Sequence, residues 1–165
     1  MKFFMHLQII AIGVLTSFVL GFVLKLFEYL TDLKVYTLLL NIDFIPIMGE
    51  IKFPEWIEFS FHIIISILLT YIFYYLMKKK KWNWQGILFN VSLGNMLIGL
   101  LIYPITLLSD RTPPFFSIFA LNFWLISHLF YGISMSLLFI FIENRHNINK
   151  QTEEKNKGNK VHYLY

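Results

Sequence analysis

Five polar side chains recur at every fourth position of an otherwise apolar stretch: Glu58, His62, Ser66, Thr70 and Tyr74. On a helix each step of four advances only about 40° beyond a full turn, so these residues form one slowly winding ridge. Glu58 and His62 stand one turn apart, the spacing at which a carboxylate and an imidazole relay a proton or hold a cation. Asn95, Tyr103, His128 and Tyr131 lie in two further apolar runs. Lipid offers such groups no hydrogen bonds, so the ridges are expected to face protein and meet in a polar seam of Glu58, His62, Asn95, Tyr103, His128 and Tyr131. A second group, Asp110 and Arg111, falls in a short connection between runs. There the guanidinium can hold a phosphate, or pair with Glu58 or Asp110 and staple two helical hairpins.

Several chemistries are excluded at once. The chain has no cysteine, which removes quinone-linked disulfide oxidoreductases, thiolate metal sites and disulfide staples. No His-Glu-x-x-His pattern, phosphate-binding glycine loop or serine-nucleophile elbow occurs. Glu58 and His62 lack the further ligands a metal needs, so no metal is expected. Haem between His62 and His128 is disfavoured by depth, since rises of 1.5 Å per residue from the expected helix starts put them about 10 and about 19 Å into the lipid. No cofactor is expected. The net charge of +4 suggests nucleic acid only superficially, because the basic residues flank apolar runs or lie on a polar tail. Anionic lipid headgroups at Lys78, Lys79, Lys80 and Lys81 are the expected partner.

The elements that must position these residues are membrane spans. With 57% hydrophobic and 19% aromatic residues in 165, and apolar runs near the length that crosses hydrocarbon, the chain reads as an all-α polytopic membrane protein. Four transmembrane helices are expected at about residues 3–27, 55–77, 86–108 and 115–142, forming one domain over 1–143; residues 144–165 have the composition of a disordered polar tail. Gly13, Ser17 and Gly21 put three small side chains on one ridge of the first helix, and Lys25 can pair with Glu28 at its end. Thr31 or Asp32 can cap an outer helix within 31–45, interfacial or partly re-entrant, before Pro46, Gly49 and Pro54 break regular structure. Pro104 is expected to kink the third span, and Pro114 to sit in the first turn of the fourth.

Orientation follows from charge. With both termini cytoplasmic, the inner parts carry ten basic residues (Lys2, Lys78 to Lys81, Arg145, Lys150, Lys155, Lys157 and Lys160) and the outer parts four (Lys25, Lys34, Lys52 and Arg111). That bias places a multi-pass protein in the cell membrane with the lysine cluster inside.

The last helix, His128-Leu129-Phe130-Tyr131-Gly132 followed by small residues, resembles that of small uncharacterised four-helix bacterial membrane proteins of the YagU-like kind. The resemblance spans about ten residues, implies the four-helix architecture and brings no activity. Three function classes follow from the residues themselves. A noncatalytic structural, regulatory or assembly role needs only the packing ridges and the tail. A small ion-coupled carrier would use the polar seam and would need to form a homo-oligomer, because four helices alone make a small pathway and there is no strong internal repeat. A lipid-acting enzyme at the outer surface would use Asp110, Arg111, Glu58 and His62.

Overall fold

A computed structural model describes residues 2–42, 51–109 and 111–162. Among them there are five α-helices, one 3-10 segment and no strand: α1 (Lys2–Thr31), α2 (Val35–Leu40), α3 (Glu55–Lys80), α4 (Trp84–Ile102), the 3-10 segment Tyr103–Leu108 and α5 (Ile118–His162). The chain is therefore all-α, and the stretches Phe3–Thr31, Glu55–Lys80, Trp84–Ile105 and Ile118–His146 are each long and apolar enough to cross a membrane. Asp110 and the breaker residues Pro46 and Gly49 lie outside the described residues.

The helices run up and down. His6 of α1 bonds the Tyr71 hydroxyl near the lysine end of α3, while Lys25 at the other end of α1 pairs with Glu55 at 2.6 Å. Lys78 pairs with Glu143, so α5 returns to the lysine end. The turn between α3 and α4 takes only three residues. Lys81 adopts the left-handed conformation (φ 51°), Trp82 N–H donates back to Met77 C=O at 3.2 Å, and Asn83 Oδ1 accepts Gly86 N–H at 2.8 Å as the cap of α4.

Small residues decide which helices touch. A Cβ on Gly13 would lie 2.7 Å from Ile67 Cα, so α1 and α3 meet backbone to backbone; Gly21 sits equally close on the Phe59 ring. On α5, a Cβ at Gly132 would lie 2.6 Å from Ser92 Cα, which puts α4 in direct backbone contact there. Lipid tails are as apolar as leucine, so this close approach, rather than burial from water, draws such helices together.

Five local expectations change. The third span ends its α-helix at Ile102 and continues as 3-10 helix, because Pro104 has no N–H to return and its ring displaces the preceding carbonyl. The fourth helix begins at Ile118 rather than Phe115: Ser117 Oγ accepts Ala120 N–H at 3.3 Å and caps it, leaving Pro114 outside. α2 is six residues long and buries Val35, Leu38 and Leu40 among α1, α3 and α5. It is capped by neither Thr31 nor Asp32. Glu28 reaches across from α1 to accept Tyr36 N–H at 2.6 Å and Thr37 N–H at 2.8 Å, which leaves Lys25 to pair with Glu55 instead of Glu28. Past Ile142, where composition suggests disorder, α5 runs on as helix to His162. No glycine or proline interrupts residues 143–157, and Asn144, Arg145, Gln151 and Thr152 are exposed.

Candidate functional site

α3 and α4 leave space between them. α3 and α4 approach where the Phe73 ring fills the space beside Gly94, 2.8 Å from where a Cβ would be, and then separate toward the loop end. Between them lies a cavity of about 300 Å³, floored by Trp124, His128 and Tyr131 of α5 and Leu20 of α1. Its walls are mostly isoleucine, leucine and phenylalanine. Ile64 and Ile65 on its α3 side are 55% and 50% exposed, so the cavity opens sideways, onto the surface that lipid would cover.

Five of the six seam residues line this one cavity: Glu58, His62, Asn95, His128 and Tyr131. Tyr103 does not. It is buried at the loop end, donates its hydroxyl to Ser117 C=O at 3.3 Å and packs on the Phe115 ring. The later start of α5 brings His128 to about 15 Å along its helix, narrowing the depth gap to His62, and both imidazoles reach the same cavity. Among the described residues no group of three histidine or acidic side chains is placed to hold a metal ion.

Each polar side chain is held differently. His128 Nδ1 bonds Trp124 C=O at 2.9 Å and its ring lies 4.4 Å from the Trp124 indole. Gly99 makes this possible, since a Cβ there would stand 2.6 Å from His128 Cγ. Trp124 in turn donates its indole N–H to Gly99 C=O at 2.8 Å, so one glycine admits the imidazole and anchors the indole. Ser66 Oγ donates to Gly13 C=O at 2.7 Å and lies 2.8 Å from the Tyr131 hydroxyl. The Tyr131 hydroxyl also reaches the Thr16 side chain, so it is engaged by α1 and α3 at residues that do not line the cavity.

Asn95 is 1% exposed; its amide N–H donates to Val91 C=O at 2.8 Å and approaches Met135 Sδ at 4.0 Å. Its Oδ1 and His62 Nε2 are buried without a hydrogen-bond partner among the described residues. A buried polar atom without a partner costs about 1 to 3 kcal/mol.

At the loop end Glu58, 5% exposed, receives both terminal nitrogens of Arg111 at 3.3 Å. Arg111 thus joins the α4–α5 connection to the start of α3 at the mouth of the seam. Beside it Lys25 and the Tyr36 hydroxyl share Glu55 Oε1 at 2.6 and 2.9 Å. Burial first, and the neighbouring Glu55 carboxylate second, hold the Tyr36 phenol above its ordinary range.

Trp124 is the site residue that sequence reasoning passed over. It stands four residues before His128, hence on the same face, and a buried indole must find an acceptor for its N–H. No family model, curated protein or solved structure matches the chain.

Proposed function

We propose that the protein is a noncatalytic integral membrane protein, both termini cytoplasmic, that binds a small, largely apolar ligand in the cleft between α3 and α4. The observation that carries this reading is the largely apolar 300 Å³ cavity between α3 and α4, open sideways at Ile64 and Ile65 and lined by a few polar side chains. Binding pockets are commonly apolar concavities with a few placed polar groups, and this one has that composition. The orientation rests on the basic residues, and exposed Lys79, Lys80 and Lys81 suit anionic headgroups on the inner leaflet. A carrier would need a second opening, and the Phe73–Gly94 contact stands at the inner end of the cavity.

Two measurements test the proposal. Reporter fusions after Trp84 and after residue 162 should read cytoplasmic, and one after Pro113 external; an external reading at Trp84 reverses the orientation. Purified protein in lipid nanodiscs should bind ten-carbon probes at a single site by native mass spectrometry. Absence of any discrete bound probe would remove the binding reading and leave a purely structural role.

A further inference from the structure

At the lysine end of the bundle, away from the cleft, the α3–α4 turn and α5 enclose a crevice of about 420 Å³. We infer that it binds the headgroup of one phospholipid of net charge −1, with the phosphate on Lys81; this deepens the reading of the lysine cluster as a headgroup contact and does not depend on the cleft. The crevice lies where the apolar runs of α3, α4 and α5 reach their limit, the level at which phospholipid phosphates stand in either leaflet. Its lining follows the order of a lipid's own groups. Met77, Ile87 and Ile140 lie within the apolar runs, Trp82 and Trp84 stand at the margin where amphipathic indoles are favoured, and the charged side chains border water.

The four lysines are not equivalent. Lys78 pairs with Glu143, the ammonium of Lys79 lies 5.6 Å from the centre of the Tyr75 ring, and neither Lys79 nor Lys80 lines the crevice. Lys81 lines it, is exposed, and has no carboxylate partner among the described residues. Its left-handed backbone, φ 51°, favours glycine and ends the α3 spiral, so Lys81 does not continue the row of Lys78 to Lys80. With Lys78 and Glu143 cancelling, the lining keeps one uncompensated positive charge, the counterpart of one phosphodiester. An ethanolamine or choline head brings an ammonium as well, and Glu143, the carboxylate in the lining, is already held by Lys78. A glycerol head brings hydroxyls, which Glu143 and the Asn144 amide can accept. Room suffices: on the scale at which about 150 Å³ holds one benzene, the crevice admits the about fifteen heavy atoms of a glycerophosphoglycerol group.

The test titrates delipidated protein in detergent micelles with phosphatidylglycerol, phosphatidylethanolamine and phosphatidylcholine of identical chains, with occupancy read by native mass spectrometry. One phosphatidylglycerol should bind about tenfold more tightly than either zwitterionic lipid. Lys81→Gln should abolish that preference and Lys81→Arg should keep it, whereas Lys79→Gln combined with Lys80→Gln should leave it within about twofold, as expected for solvated charges. Equal binding of the three lipids to the wild-type protein, a comparison that needs no variant to fold, would overturn the crevice assignment and the headgroup reading of the cluster together. A preference lost as fully in the Lys79 and Lys80 double variant as in Lys81→Gln would overturn the crevice alone and leave the lysines acting as a general field. Loss of the preference in Ile98→Phe, which fills the cleft instead, would move the lipid there and equally overturn the assignment. Displacement of the lipid by an equal concentration of glycerol 3-phosphate would show that a phosphate is recognised without its chains and overturn the lipid as the ligand.

Discussion

α4 meets two neighbours in opposite ways. Against α5 it presents Ser92 and Gly99 to Gly132 and His128, and no Cβ fits at either glycine, at Gly132 against the Ser92 backbone and at Gly99 against the His128 ring. Against α3 it presents Asn95 and the branched side chains of Ile98 and Ile102, facing Phe61, Ile64 and Ile65, and the two helices stand apart around a cavity. The polar groups divide accordingly. In the closed interface Ser136 Oγ finds Gly132 C=O at 2.7 Å, with Ser92 Oγ at 3.4 Å, whereas in the open one Asn95 Oδ1 and His62 Nε2 find nothing among the described residues. Small residues thus build the scaffold, and bulky ones hold the site open. Unpaired polarity belongs to the open side.

The contrast can be broken most severely at the closed face. Gly132→Ala places a methyl against the Ser92 backbone, where no rotamer can yield, and should destabilise the protein by about 3 kcal/mol in mixed-micelle unfolding. Unchanged stability would mean that α4 and α5 are not locked there. The hydrogen-bonded chain beneath the cavity should respond less. Ser66→Ala removes the hydroxyl that bridges Gly13 C=O and Tyr131 and should cost about 1 kcal/mol, while Tyr131→Phe leaves the Ser66 bond to Gly13 in place and should cost about 0.6 kcal/mol, near the mean for interhelical bonds in membranes. The reverse order would mean that Ser66 is not the group that bridges the helices.

On the open side added bulk should be tolerated. Ile98→Phe enlarges a side chain that already lines the cavity, so stability should change by no more than about 0.5 kcal/mol while binding of the ten-carbon probes falls at least tenfold in native mass spectrometry. A loss of stability as large as that of Gly132→Ala would erase the distinction between the two faces. The smallest effect is expected outside the spans, at Tyr36. Its folded phenol holds its proton more tightly than an unfolded one, so its contribution is complete below the ordinary value of 10.0 and is lost as pH rises beyond it. Tyr36→Phe should flatten the decline in stability above that pH, as followed by circular dichroism, and an unaltered decline would place its origin elsewhere.

By itself the sequence determined the number of long apolar helices and the reversal at Lys81 to Asn83, because both depend on local composition: run length, a lysine cluster and a capping asparagine. It also marked the polar faces, since a period of four is a property of one helix alone. Helix ends were less legible where competing signals adjoin. Pro114 and Ser117 both suit a helix start, and only the Ser117 side chain takes the capping bond. Tyr103 shared a face with Asn95 in sequence, yet the proline after it carried it into a 3-10 turn and away from the cavity. What tertiary structure alone decided was which polar atoms pair and which do not. Asn95 and His62 read like any other buried polar residues in their helices; Asn95 Oδ1 and His62 Nε2 find no partner among the described residues because α3 and α4 are held apart while α5 is held close, and that balance arises from contacts among four helices that no single stretch of sequence contains.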